Sequence, residues 1–262
     1  MSALVLIPLL LLAVIYLPTV YFAIAVALVI LLATWEMANM LKLDIICQWV
    51  IYSVILVALF GAYYIPALWL MTIAMVWWLV ALGLVLTYSQ TRAWWHHKPV
   101  ILLTMTLLIL VPAWRAAVEL QSSVQYTTSL LIFLMVLIWL ADSVAYFAGR
   151  AWGKTKLAPH VSPGKTQAGL VAALGVTSIF AFVTAWLTGN NVTDCLLFTA
   201  ICLVTTIASV VGDLTESMLK RAVGAKDSSQ LIPGHGGVFD RIDSLTAAAP
   251  VFLFFIILAG KT

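Results

Sequence analysis

Charge is what this chain has least of. Only 9% of its 262 residues are Asp, Glu, Lys or Arg, against about a quarter in an ordinary soluble domain. So few solvated groups exclude a water-soluble globule of this length. The 64% of residues that are hydrophobic must find apolar surroundings beyond the chain's own core. Cysteine is scarce as well. Cys47, Cys195 and Cys202 have no metal-ligand spacing and lie in or beside apolar runs, so they read as small buried hydrophobes. The apolar–polar alternation of a membrane β-barrel is missing. There is no internal repeat, no low-complexity tract and no polar stretch large enough to fold alone. No basic segment precedes the first apolar run, so a cleaved signal peptide is not expected.

What is present is a series of apolar segments, at about 3–17, 19–35, 45–61, 66–87, 99–114, 126–148, 168–188, 194–220 and 245–260. Each approaches the roughly 20 residues that span a bilayer as helix. The fold expected is all-α: a polytopic integral membrane protein of about nine transmembrane helices. It is one membrane-embedded domain over residues 1–262, with N-terminal helices in 1–125 and catalytic helices and loops in 126–262. Only Pro18 separates the first two segments, which can also be read as one broken element. With the N-terminus and the even-numbered connections on the cytoplasmic side, 11 of the 13 basic residues lie inside. Only Arg115 and Lys261 lie outside, the bias of the positive-inside rule. Trp35, Trp49, Trp69, Trp94, Trp95, Trp114 and Trp152 fall near segment ends, as an interfacial belt does. His96-His97-Lys98 reads as a headgroup-level anchor.

Against this background the stretch from Ser217 to Ser244 stands out. It carries Lys220, Arg221, Lys226, Asp227, His235, Asp240, Arg241 and Asp243, with glycines at 224, 234, 236 and 237. Asp240 and Asp243 are three apart, so on a helix they share a face. Hard oxygen ligands of this kind suit Mg²⁺, which takes one or two carboxylates, waters and substrate phosphates. The Pro233–Gly237 run can turn sharply and offer backbone N–H groups to an anion. The cations suit phosphate. Carboxylates, glycines and cations together point to metal-assisted phosphate chemistry. A plain solvated loop explains each residue singly but not the whole run.

Two other clusters precede it. Asp142 lies near the end of an apolar helix, where ionisable residues are costly, with Ser143 beside it and Tyr146 one turn on. A loop with Arg150, Lys154, Lys156 and Lys165 and no acid follows, a match for anionic headgroups or nucleotides. Ser162-Pro163-Gly164-Lys165-Thr166 lacks the spacing and the strand of a Walker P-loop. On the eighth segment Ser209, Asp213, Glu216, Ser217 and Lys220 fall on one helical stripe. Glu216 and Lys220 have the spacing of a helix ion pair. Asp213 has no cation one turn away, and a bound metal would supply its countercharge.

These residues resemble the phosphatidate cytidylyltransferases, or CDP-diacylglycerol synthases. The resemblance rests on Ser217, Lys220, Arg221, Lys226, Asp227, Leu231, Pro233 to Gly237, Asp240, Arg241 and Asp243. It extends to Asp142-Ser143, Ala145-Tyr146, Gly149-Arg150, Gly153-Lys154, Ser162-Pro163, Lys165-Thr166, Gly212-Asp213 and Glu216-Ser217. It is close over about 139–250 and covers the N-terminal half in hydropathy only. The chain departs from the family pattern at Gly164 and Ala168, where many relatives have lysine and glutamate.

The resemblance implies a Mg²⁺-dependent nucleotidyltransferase of phospholipid biosynthesis. It would condense CTP with phosphatidic acid to CDP-diacylglycerol and pyrophosphate, with no nucleic-acid partner. It implies Asp213, Asp240 and Asp243 as Mg²⁺ ligands, with Asp142 and Glu216 near and room for a second cation. Lys220 and His235 join the three aspartates as catalytic residues. Ser162, Lys165, Thr166, Ser217, Arg221, Lys226, Gly236, Gly237 and Arg241 would bind substrate. A homodimer in a bacterial inner membrane, with the site facing the cytoplasm, completes the expectation. The rivals are an ion-coupled transporter using Asp142, Asp213 and Glu216, a CTP-dependent lipid kinase, and an aspartyl protease pairing Asp142 with Asp213.

Overall fold

The structure, a computed structural model, describes residues 2–95, 98–122, 129–229, 231 and 236–260. Ten helices and one short β-ribbon follow in order: α1 (Ser2–Tyr16), α2 (Thr19–Met40), α3 (Ile45–Tyr64), α4 (Ala67–Leu86), α5 (Tyr88–Trp95), α6 (Pro99–Ser122), α7 (Ser129–Trp152), β1 (Lys156–Ala158), β2 (Ser162–Thr166), α8 (Gln167–Leu187), α9 (Val192–Ala222) and α10 (Phe239–Leu258). Among the described residues, eight helices are long and apolar enough to cross a membrane: α2, α3, α4 and α6 to α10. The first apolar segment forms α1, only 15 residues long, and Pro18 at the start of α2 separates the two.

The apolar stretches fold as helices because the backbone must satisfy its own hydrogen bonds where no water reaches. Lipid then replaces a second core layer. Val57, Phe60, Leu86 and Leu187 stand exposed, and nothing polar covers them. The inner helices are α6, α9 and α10, with α3 and α8 toward the rim. α10 packs most extensively on α9, then on α6. Its Ala247, Ala248 and Ala249 are fully buried, and small residues let membrane helices approach closely. Gly212 on α9 marks the closest approach: a Cβ there would stand 2.6 Å from the Asp243 carbonyl oxygen. Phe133 stacks on Phe180 at 5.3 Å and meets Phe198 at 5.1 Å, joining α7, α8 and α9.

The helix order sets which ends meet. The indole N–H of Trp114 on α6 donates to the Ala23 carbonyl on α2 at 2.9 Å, and Gln121 reaches the Leu17 carbonyl at 3.0 Å. At the opposite face gather the ends of α2, α7 and α9 and the start of α10. α9 has 31 residues, about 46 Å of helix, against about 30 Å of hydrocarbon. It is long enough to carry its charged last turns past the apolar slab.

Two features of this face differ from the sequence expectation. The basic loop after α7 is not wholly irregular, because β1 and β2 pair antiparallel, Lys156 opposite Thr166 and Ala158 opposite Ser162. Lys156, Leu157 and Ala158 have no strand-like alternation that could flag so short a ribbon. The last helix begins at Phe239 rather than near 245, since its charged first turn is held by partners from other helices and needs no apolar face.

Candidate active site

The two charged clusters on this face are each built around one lysine. α9 supplies Asp213, Glu216 and Lys220 on one stripe, and α10, lying against it, supplies Asp240 and Asp243 from its first turns.

The first cluster centres on Lys165. β2 ends in Thr166, whose hydroxyl accepts from the Gly169 N–H at 3.2 Å and caps α8. That fixed cap places the preceding residue over α9. The Lys165 ammonium lies 2.7 Å from Asp213 Oδ2 and donates to the Val210 carbonyl at 3.4 Å. Asp213 Oδ1 also accepts from the Ser217 hydroxyl at 3.4 Å. Asp142 of α7 and Asp243 of α10 lie within electrostatic reach of Asp213, of Lys165 and of each other. The Lys165 ammonium thus pairs with Asp213, with carboxylates from two further helices within its electrostatic reach.

The second cluster centres on Lys220. Its ammonium sits 2.6 Å from Glu216 Oε2 and 2.5 Å from Asp240 Oδ1. The other Asp240 oxygen accepts from the Ser228 N–H at 3.0 Å, the Ser228 hydroxyl at 3.0 Å and the Gly237 N–H at 2.8 Å. Asp240 and Asp243 share the start of α10 as the spacing predicts, yet Asp240 contacts Lys220 whereas Asp243 lies within electrostatic reach of Asp213 and Lys165. Asp240 meets the end of α9, and Asp243 lies against the part of α9 around Gly212, about two turns earlier.

The other expected residues distribute as follows. Arg221 donates to the Ala225 carbonyl at 2.9 Å. Lys226 and Arg241 are exposed, and Ser162 is half-buried on β2. Gly236 has a left-handed φ of 76°, a conformation that glycine adopts without strain. Gly237 has no room for a side chain, because a Cβ would run into the Ser228 hydroxyl and both Glu36 carboxylate oxygens. Its N–H, expected to face an anion, is engaged by Asp240. His235, with Pro233 and Gly234, lies outside the described residues. Among the described residues, no three His, Cys, Asp or Glu side chains close around a metal position by themselves.

One residue the sequence pattern passes over is Glu36. The hydropathy pattern ends the second segment at Trp35, whereas α2 continues to Met40. Glu36 is 0% exposed and accepts four hydrogen bonds. Oε1 takes the Ser229 hydroxyl at 2.6 Å and the Val238 N–H at 2.8 Å, and Oε2 takes the Ser228 hydroxyl and the Phe239 N–H, both at 2.8 Å. The available signal was its isolation: it is the one charged side chain in a 22-residue apolar helix, and such residues within membrane helices rarely lack a partner.

Known proteins share this sequence nearly end to end. The sequence profile described as the cytidylyltransferase family matches residues 1–259. The phosphatidate cytidylyltransferase of Pseudomonas aeruginosa is 42% identical over 262 residues, covering 99% of this chain and 96% of that protein. Its counterpart in Haemophilus influenzae is 38% identical over 281 residues, covering 97% and 96%. That of Bacillus subtilis is 34% identical over 184 residues, covering 68% and 66%. The matched span thus takes in the N-terminal helices and not the charged clusters alone.

Proposed function

The chain belongs to the cytidylyltransferase family, and from that premise we propose how its two clusters serve the transfer of CMP from CTP to phosphatidate, giving CDP-diacylglycerol and pyrophosphate. The observation that carries the reading is the pairing, on one face of the bundle, of a carboxylate cluster around Lys165 with a lysine, Lys220, clamped between Glu216 and Asp240.

The chemistry asks little covalent work of the protein. A phosphate monoester loses its second proton at about pH 6, so the phosphatidate oxygen is already a nucleophile and needs no general base. That oxygen forms a bond to the α-phosphorus of CTP. The bond from that phosphorus to the bridging oxygen breaks, and pyrophosphate leaves with the electron pair. The protein's part is to hold two polyanions together and to neutralise charge as it moves to the leaving group. Lys220 is suited to this because two carboxylates fix its ammonium in place. Lys165 brings a second fixed cation, while Arg221, Lys226 and Arg241 gather the phosphates. Ser162 and Ser217 offer hydroxyls at the rim. Thr166 supports Lys165 by capping α8, and Gly236 and Gly237 shape the loop leading to α10.

The donor set suits Mg²⁺. Asp142, Asp213 and Asp243 bring three carboxylates against one lysine, leaving an excess of negative charge between apolar helices that a divalent cation would balance. An arrangement that does not close around an ion without help suits Mg²⁺, which completes its shell with water and substrate phosphate oxygens. When bound, the ion would polarise the phosphates and offset their charge. Asp240 and Glu216 are assigned to holding Lys220. The site faces the cytoplasm, where CTP is, in a bacterial inner membrane; the 11-to-2 distribution of basic residues supports this. A homodimer follows from the family resemblance.

The test is pyrophosphate release from CTP by the purified protein. Release should require both phosphatidate and Mg²⁺. Release that proceeds equally without lipid would refute the transfer.

A further inference from the structure

α10 lacks the usual means of starting a helix. Its N-cap is Val238, which has no side chain able to bond the first amides. A helix normally leaves its first four N–H groups to be satisfied by such caps or by water. Here the acceptor for Val238 and Phe239 is Glu36, some 200 residues earlier in the chain. A local serine or aspartate would cap the helix equally well. It would not tie the helix start to another helix, and Glu36 does.

The same carboxylate also holds the hydroxyls of Ser228 and Ser229. A point inside the loop that runs from α9 to α10 and the end that enters α10 are therefore fastened to one side chain of α2. Ser228 contacts Asp240 as well, through its N–H and through the one hydroxyl proton that Asp240 and Glu36 share, so the fastening leads directly to the partner of Lys220. Asp243 follows on the same helix turn.

We propose that Glu36 is a positioning residue for the transfer reaction. By pinning residues 228–229 and 238–239 to α2, it fixes the start of α10, and so the placement of Asp240 against Lys220 and of Asp243 in the carboxylate cluster. The role in turnover rests on the function given above, while the anchoring itself does not. It also gives the N-terminal helices a part in the chemistry at the other end of the sequence.

Glu36→Gln is the informative variant, since it preserves volume. The serine hydroxyls can turn to accept from an amide, but Val238 and Phe239 can only donate. Whichever way the new amide turns, its NH₂ faces one of those two N–H groups. Displacements of about an ångström at a reacting centre are expensive, so kcat should fall by about tenfold or more, with KM for phosphatidate within about twofold of the parent. Hydrogen exchange on the intact variant should quicken at residues 236–241 and stay unchanged in α6 and α8. Parent-like kcat, or exchange that quickens throughout the bundle, overturns the proposal.

The parent protein provides a check that needs no variant to fold. The amides of Val238 and Phe239, although they open a helix, should exchange as slowly as amides inside one. Free exchange there overturns the anchor. A parent that makes no CMP-lipid would refute the function, while the exchange result would still decide the anchoring.

Discussion

Replacing Lys220 by methionine separates what this lysine does for stability from what it does for transfer. The side chain is only 10% exposed, with Glu216 Oε2 at 2.6 Å and Asp240 Oδ1 at 2.5 Å. Methionine matches its length and removes the charge, leaving Glu216, itself 2% exposed, beside Asp240 without the ammonium between them. Removing one partner of a buried ion pair costs about 3–5 kcal/mol. At about 2–4 °C per kcal/mol for a chain of this size, the melting temperature should fall by roughly 6–20 °C. Adding Glu216→Gln removes one of the stranded charges. The double variant should therefore recover part of that loss, a coupling that only interacting residues show. Turnover should not recover with it, because the cation proposed to meet phosphate is still missing. Tryptophan-fluorescence melting in detergent, read beside CMP-lipid formation, measures both. A Lys220→Met protein that melts with the parent, or a double variant that regains turnover, would refute the reasoning.

Other perturbations reach different parts of the site. Chelating divalent cations should abolish turnover, and Asp243→Asn should raise the Mg²⁺ concentration needed for half activity; full turnover in excess chelator would exclude the metal. Gly237→Ala should cost about a hundredfold or more in turnover, because its Cβ collides with Ser228 and Glu36 and shifts the start of α10; parent-like kinetics would show that the loop tolerates the move. With exposed Cys47 replaced by serine, cysteines placed at Lys226 and Pro163 should react with an impermeant thiol reagent from the cytoplasmic side of oriented vesicles, and one at Leu187 from the other side only. Labelling of positions 226 and 163 from the outer side would overturn both the topology and the access of CTP.

The membrane fold was largely legible because hydropathy alone marks a segment that must satisfy its backbone within lipid. Helix ends were not. α2 runs on to Met40 and α10 begins at Phe239, and in both cases the polar extension is stabilised by partners distant in sequence. Glu36 shows why such residues escape a reading along the chain. Its partners, Ser228, Ser229, Val238 and Phe239, are brought to it only by the packing of α10 against the bundle. Asp213, Glu216 and Lys220 could be grouped in advance because they share one stripe of α9. The ion pair from Lys165 to Asp213 could not, because it depends on a five-residue strand and a threonine cap. The spacing of Asp240 and Asp243 gave their shared helix correctly. Which lysine each one meets depends on where α9 lies against that helix, which local spacing does not contain.

Which phosphorus of CTP reaches the lipid separates nucleotidyl transfer from transfer of the terminal phosphate. Purified protein would be given phosphatidate, Mg²⁺ and CTP carrying one phosphorus label at the α position or, in a parallel reaction, at the γ position. Nucleotidyl transfer predicts the α label in a CMP-containing lipid and the γ label in pyrophosphate, in equal amounts. A γ label appearing in lipid, or an α label that never leaves the water-soluble nucleotides, would contradict it.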